Sequence, residues 1–235
     1  MSQTPHKQIK NRLLSALPSS EYERLLPYLE TVSLPLKQII YAPNEPIEYV
    51  YFPNSGIISL VNFTEDGGTV EAATVGNEGM VGIPVLLGTD RMIGQAVTQI
   101  VGDALRMKAD VFKREVTPAS PLYNFLLHYT QALMNLISQS VACNRLHSVE
   151  KRCCRWLLLC QDRVGSDEFA LTQEFLSQML GVRRASVSVV AAILQKAGLI
   201  RYSRGRMKIC DRLGLEATSC ECYRIVKQEF DRLLT

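Results

Sequence analysis

From residue 30 to about 108 the apolar positions come in short runs rich in Val, Ile, Tyr and Thr, broken by Pro, Gly, Asn and Asp; beyond Ser120 they recur every three or four residues. That change of period predicts a β-rich part followed by a helical part. Strands are predicted over 32–35, 38–41, 49–53, 56–63, 69–75, 94–101 and 104–107, with turns at 43–46, 66–68 and 102–103. Strands this short and this closely spaced suggest a barrel, sandwich or roll. Ahead of them, residues 11–29 carry Leu13, Leu14, Leu17, Tyr22, Leu25, Leu26 and Leu29, interrupted at Pro18-Ser19-Ser20. This reads as two short helices, the second capped by Ser19 or Ser20.

Ser120-Pro121 opens the longest helical pattern, an N-cap followed by proline in the first turn. Leu122, Phe125, Tyr129, Ala132, Leu136, Cys143 and Leu146 lie near a three-four spacing, with Leu126, Leu133, Met134, Ile137 and Val141 beside them. The apolar stripe is too wide for a solvated surface helix. At 1.5 Å per residue, 121–146 would span about 40 Å, enough for one side to pack on the β-rich part while the other meets a second copy. The alternative is a single buried helix in a monomer, since the seam lacks flanking charge pairs. Residues 148–164 form another helix, with Trp156 expected in a core.

The most informative stretch is 171–200, LTQEFLSQMLGVRRASVSVVAAILQKAGLI. Thr172 offers an N-cap oxygen and Glu174 a first-turn negative charge. Phe175, Leu176, Met179 and Leu180 share a face up to Gly181, which can take the left-handed conformation that ends a helix. From Arg183, the apolar Val187, Val190, Ala191 and Leu194 repeat at helical spacing while Arg183, Arg184, Ser186, Ser188 and Gln195 lie elsewhere. Helix, tight turn, helix follows, with two arginines and two serines beside the second helix's start. Such residues suit phosphates at the rim of a groove and base edges on its floor. A plain helical hairpin with a solvated basic face remains the other reading. Residues 199–202 and 206–210 then read as two short strands around Ser203-Arg204-Gly205, a basic hairpin placed as a wing.

Helix-turn-helix plus wing, preceded by a long helix and a β-rich part, resembles the Crp/Fnr superfamily of bacterial transcription regulators. The resemblance extends over nearly the whole chain and is strongest from Leu171 to Ile209. It implies an α+β fold with a cyclic-nucleotide-binding-like jelly roll over 1–118, a dimerisation helix over 119–147, and a winged helix-turn-helix with an extra C-terminal helix over 148–235. It implies double-stranded DNA and a second copy of the chain as partners, with RNA polymerase as a further candidate. On that pattern Arg184 aligns with the arginine that reads guanine, with Arg183, Ser186 and Ser188 beside it. Thr172 and Gln173 stand at the start of the preceding helix, and Arg204, Arg206 and Lys208 of the wing hold the backbone. Ala185 stands where many relatives have Glu, and Val189 where some have Arg, so the recognised sequence should differ from theirs. Phe125, Tyr129, Ala132, Leu136 and Cys143 are the expected dimer contacts.

Residues 75–88, VGNEGMVGIPVLLG, interrupt the strands with four glycines. Gly-rich backbone beside a short helix can cradle a phosphate, or can merely allow tight turns. The resemblance makes this the cyclic-nucleotide cassette, and the expected pocket residues are Gly79, Val81, Gly82, Ile83, Arg91 and Met92. Cyclic-AMP-binding relatives carry Gly-Glu here and Arg-Ser or Arg-Thr some ten residues on. Here Ile83 follows Gly82, and Met92 follows Arg91. Ile83 offers a ribose hydroxyl no acceptor, and a buried phosphate needs charge-assisted donors. The effector is therefore expected to be a small molecule other than cyclic AMP, or none.

Charge sharpens this reading. The net charge is only +3, yet residues 148–235 carry 15 Lys/Arg against 10 Asp/Glu, and residues 1–147 carry 11 against 13. The basic half is the half with the helix-turn-helix. All seven cysteines lie in the second half, an odd number that argues for reduced thiols. No Cys-x-x-Cys pair occurs, so spacing predicts no metal site and no cofactor. An N-terminal half without cysteine offers no iron–sulfur ligands, and His6, His128 and His147 stand isolated. Cys220 and Cys222 sit on a C-terminal extension expected either to brace the DNA-binding domain or to serve as a redox handle. No run approaches a membrane span and the first thirty residues lack a signal core, so a cytoplasmic location and no membrane partner are expected. Paired carboxylates with flanking His, a Gly-x-Ser-x-Gly elbow and a phosphate-loop Gly-Lys-Thr are all missing, which argues against an enzyme. A ligand-binding sensor or docking protein acting through protein contacts is the rival reading.

Overall fold

The computed structural model describes residues 9–234, so His6 lies outside the described residues. Helices α1 (Arg12–Ser15) and α2 (Ser19–Leu25) open the chain, followed by one 3-10 turn at Leu26–Tyr28. Neither serine caps α2. The Pro18 carbonyl accepts from Glu21 and Tyr22, so Ser19 is already helical and Pro18, its φ fixed by the ring, marks the boundary.

Seven strands follow: β1 (Glu30–Leu34), β2 (Ile39–Tyr41), β3 (Tyr49–Pro53), β4 (Ile57–Phe63), β5 (Thr69–Val75), β6 (Gln95–Ile100) and β7 (Gly102–Lys108). They form two antiparallel sheets, ordered β1-β7-β3 and β2-β6-β4-β5, the roll that the strand spacing suggested. Two short helices, α3 (Ile83–Leu86) and α4 (Ala109–Glu115), escaped the sequence pattern because each is too short to show a period. The core between the sheets holds Leu34, Val50, Phe52, Ile58, Val75 and Met107, all at most 1% exposed. Each such side chain contributes about 1.5–3 kcal/mol of burial free energy.

Helix α5 (Pro121–Leu146) is 26 residues long, and Ser120 caps it by accepting from the Tyr123 amide. The expected division of its faces is corrected. Tyr129, Ala132 and Leu136 are buried in the chain's own core, Cys143 is buried beside Cys220 and Cys222, and Phe125 is partly buried against the core. The outward line is Leu127, Met134 and Val141, 43%, 60% and 67% exposed, with Ile137 beside it. Both stripes are apolar, so periodicity marked the helix without saying which stripe met the roll.

The C-terminal part runs α6 (Val149–Val164), β8 (Glu168–Ala170), α7 (Gln173–Leu180), α8 (Arg184–Lys196), β9 (Ile200–Ser203), β10 (Arg206–Ile209), α9 (Arg212–Thr218) and α10 (Cys222–Leu233). The wing is a three-stranded sheet, β8-β10-β9. Trp156, Leu157, Leu176, Met179, Val187 and Leu194 form a second core, which Ile57, Val61 and Ile100 of the roll also join. The two parts therefore share apolar surface. Helix α10 was expected to brace the DNA-binding part, and Tyr223 at its start does join the second core and donates to Asp162 of α6, but Val226, Phe230 and Leu234 enter the first core, with Phe230 6.4 Å from Tyr129 of α5, ring to ring. Its apolar face is buried mainly against the long helix, with Tyr223 alone turned to the second core. No helix among the described residues is long and apolar enough to cross a membrane.

Candidate nucleic-acid interface

Local chemistry builds the helix-turn-helix as the sequence requires. Thr172 Oγ1 accepts from the Phe175 amide at 3.1 Å and starts α7. Gly181 ends it at φ +60°, a conformation that would strain a side chain, and the Val182 amide closes the turn on Ser177 O at 3.0 Å. Arg183 then stands in the N-cap position of α8 with extended backbone and makes no side-chain cap bond. Val187, Val190, Ala191 and Leu194 are buried, while Arg183, Arg184, Ala185, Val189, Ala192 and Ile193 are exposed. Among the described residues neither Arg183 nor Arg184 has an ion-pair partner of its own. Two free guanidiniums at the outer start of α8 are available for phosphate or for a base edge.

The other expected contacts divide. Ser188 Oγ lies 2.8 Å from Gln173 Oε1 and 3.2 Å from Arg184 O, so Ser188 and Gln173 tie α8 to the start of α7. Ser186 is half-buried and borders, with Arg183, a cleft of about 630 Å³ shared with Gly67, Gly68 and Thr69 of the roll. In the wing, Arg204 and Gly205 take φ of +49° and +75°, a two-residue hairpin turn with both centres left-handed. Asn or Gly is the favoured residue at that first position; an arginine there carries strain of about 1 kcal/mol at the tip. Arg206 is exposed but engaged, its Nε 2.7 Å from Glu168 Oε1. Lys208 is exposed on the central wing strand, opposite Arg201 on one side and opposite Glu168, which Arg206 engages, on the other. Arg201 was missed as a site residue, though strand alternation places it on the same face as Lys208. The wing tip also meets the link that leads into α7, since Leu171 N donates to Gly205 O at 2.8 Å.

The glycine-rich cassette is assembled differently. Gly79 packs so closely on the Tyr129 ring that a Cβ there would collide with it. Val81 is buried and exchanges two backbone hydrogen bonds with Tyr51, at 2.8 and 2.9 Å. Gly82 takes φ +114° against Val50 and the Tyr41 hydroxyl. Ile83 and Met92 are partly buried against the core, and exposed Arg91 donates to Asn44 O at 2.8 Å. The cavity bordering Tyr41 is lined by Tyr49, Tyr51, Glu45 and Glu48, with no Lys or Arg. A cyclic nucleotide does not fit these residues: the two carboxylates repel its phosphate, and Arg91, at the rim on Asn44 O, is not among the lining residues.

What the cassette holds is α6. Glu78 Oε1 stands 2.7 Å from Arg163 Nε, with both side chains under 10% exposed, and Arg163 also donates to Thr74. The Gly76 amide donates to the same carboxylate at 3.1 Å. Nearby, Glu71 accepts from Ser59 at 2.7 Å and from Trp156 Nε1 at 2.9 Å. Some of the Glu71 surface stays open, but its carboxylate is enclosed between β5 and α6, and that desolvation pushes its pKa up to about 7. The contacts from Glu71 and Glu78 to α6 could not be read from the sequence, since those partners lie 85 positions apart.

Comparison with known families decides between the readings. Residues 31–117 match the family model for the cyclic nucleotide-binding domain, and residues 151–218 match that for the Crp-like helix-turn-helix domain. The chain belongs to the Crp/Fnr superfamily. Among solved structures, this Crp/Fnr chain is similar to FixK2 from Bradyrhizobium japonicum, with a TM-score of 0.70 and 17% identity over 82% of this chain and 98% of that one. It is similar to a CRP-family transcriptional regulator from Thermus thermophilus, with a TM-score of 0.68 and 19% identity over 80% and 96%. It also resembles the c-di-GMP-responsive global regulator CLP from Xanthomonas campestris, with a TM-score of 0.65 and 16% identity over 83% and 100%. No curated protein sequence matches it. At such identities the likeness carries the fold of the Crp/Fnr regulators, and the side chains of this member must speak for themselves.

Proposed function

We propose that this Crp/Fnr regulator acts as a homodimer on a near-palindromic DNA site, with one α8 in each of two successive major grooves. The observation that carries the reading is the outward pair Arg183–Arg184, without protein partners, at the head of a helix flanked by a cationic wing. Arg184 would read guanine, a bidentate contact contributing about 1–3 kcal/mol of discrimination. Ala185 and Val189, exposed on the same helix, suit thymine methyl groups, so the site should differ from those read through Glu and Arg at these positions. Arg183, Arg201, Arg204 and Lys208 would hold phosphates. Thr172, Gln173, Ser186 and Ser188 would position the two helices against the backbone, and Arg206 would contribute once released from Glu168. Leu127, Met134 and Val141, seven residues apart, with Ile137 between, form the seam on which a second α5 would close. Contact with RNA polymerase, if the dimer activates, belongs to the same proposal. Cyclic AMP is not its effector on this reading, given the chemistry of the cassette described above.

The test is site selection from random duplexes followed by binding titration. Arg184→Ala should weaken the selected site about 10- to 100-fold and random DNA much less; equal loss on both would reduce Arg184 to a phosphate contact. Val141→Glu should convert a doubled native mass to a single one, and an unchanged dimer would move the seam elsewhere. Affinity that ignores salt would defeat the DNA reading and favour a protein-docking role.

A further inference from the structure

Four donor atoms converge where the end of α5 meets the start of α10. Cys143 and His147 stand one helical turn apart at the end of α5, and Cys220 and Cys222 flank the entry to α10. Their sulfur and ring-nitrogen atoms all lie within 4.8 Å of one another. Cys143 Sγ is 3.5 Å from Cys220 Sγ, and Cys222 Sγ is 3.5 Å from His147 Nδ1. The three thiols are buried, and all are free. We propose that Cys143, His147, Cys220 and Cys222 form a closed site for one zinc-class divalent ion, which pins the last helix to the end of α5.

The distances set the nuclearity. Zinc binds thiolate sulfur at about 2.3 Å and imidazole nitrogen at about 2.0–2.1 Å, so a tetrahedron of such bonds has donor–donor edges of about 3.5–3.8 Å. The two closest pairs already stand near that spacing. An iron–sulfur cluster places its thiolates on different irons and needs a wider cage. Three soft sulfurs and an imidazole select zinc over magnesium or calcium.

The surroundings are those of a ligand set. His147 Nε2 stands 3.3 Å from Glu221 Oε1, so the carboxylate can accept a hydrogen bond from Nε2–H, which keeps the ring proton there and leaves the Nδ1 lone pair for the metal. Gln139 Nε2 donates to Cys222 Sγ at 3.1 Å. Three thiolates, a neutral imidazole and a dication sum to one negative charge. Arg152 and Arg155 of α6 are both buried and lie within electrostatic reach of Cys143; neither makes a direct ion pair among the described residues, and the one carboxylate near them, Glu71, acts on Arg155 only at longer range. Arg155 donates to Ser140 Oγ at 3.2 Å, one turn before Cys143, and the Nε atoms of both arginines lack acceptors. A net anionic centre would compensate these two guanidiniums. An open cleft of about 560 Å³ reaches Cys220 and Glu221 from solvent and gives an ion a way in.

Four protein ligands leave no open position, so the role is structural. His147 is also the joint between α5 and α6, where the backbone turns extended at φ −107° and ψ 150°. An ion there would fix the angle at which the C-terminal part leaves the long helix. The inference stands on this cluster alone and does not depend on the DNA reading.

The test uses the full chain, purified under reducing conditions without chelator. Elemental analysis and native mass should find one zinc per chain, unaffected by Cys210→Ser, whose thiol is exposed and outside the cluster. Cys220→Ser and His147→Ala should lose it. Stripped protein of native sequence, titrated with cobalt(II), should show the intense visible bands of tetrahedral cobalt with thiolate charge transfer, and its melting midpoint should rise on adding zinc. Because cobalt and melting are read on the native sequence, a variant that fails to fold does not decide the matter. No stoichiometric uptake, a weak octahedral cobalt spectrum, retained iron with sulfide, or a Cys143–Cys220 disulfide that excludes metal would each overturn the proposal.

Discussion

Two regions that the sequence marks for ligand binding have opposite fates in the structure. Both pair a glycine turn with a short helix and nearby polar residues. At the helix-turn-helix, Gly181 turns the chain so that Arg183 and Arg184 leave the surface with no protein partner. At the cassette, Gly79 admits the Tyr129 ring, Val81 pairs with Tyr51, and Glu78 grips Arg163 of α6. The first region keeps its hydrogen-bonding capacity for something outside the chain; the second uses it to join the roll to the DNA-binding part. A glycine-rich loop is thus evidence of close approach, and what approaches can be the protein itself.

The comparison can be broken most severely at Glu78. If the cassette is a brace, Glu78→Gln leaves the buried Arg163 unpaired and should cost about 3–5 kcal/mol in thermal or urea unfolding; a loss below about 1 kcal/mol would mean the pair is incidental. The second test is pH. Glu71 has a pKa of about 7 in the folded chain against an ordinary 4.5, so the unfolded chain ionises first. Its contribution is whole below pH 4.5 and is lost as pH rises through 7, a decline of about 1–2 kcal/mol once partial solvent access is discounted. Unfolding measured across that window should show the decline, and Glu71→Gln should flatten it; an unchanged slope in the variant would assign it to another group. On the open side, Arg204→Asn should relieve the left-handed strain at the wing tip, raising stability by about 0.5–1 kcal/mol while weakening DNA binding and its salt dependence. A variant that is stabilised without any loss of binding would take the wing tip off DNA. The smallest expected effect is none: saturating cyclic AMP should shift neither the melting midpoint nor DNA affinity, and a clear upward shift would reinstate Arg91 as a phosphate ligand.

Much of this was legible in the residues because local physics decided it. Strands β3 and β5 fall at the predicted bounds, and Thr172, Gly181 and Ser120 cap or end helices as their chemistry requires. Arg183 and Arg184 could be picked out because no apolar period claims them. Other features depended on residues far apart in sequence. Which stripe of α5 faces inward was hidden because both are apolar, and the structure buries Tyr129, Ala132, Leu136 and Cys143 while exposing Leu127, Met134 and Val141. Helix α10 showed an apolar face, but nothing local said that α5 would cover it.

The cysteines state the division most plainly. Read along the chain, adjacent and one-apart thiols give no metal spacing, and His147 stands alone. Folding lays α10 along α5 and brings Cys220 and Cys222 to Cys143 and His147 across more than 70 residues. The sequence by itself determined the elements, their caps and the charge left outside them, because those follow from dihedral preferences and burial within a few residues. Tertiary structure alone decided which faces meet, which loops are occupied by the protein itself and which donors share a point in space, because these depend on packing between segments whose separation no period records.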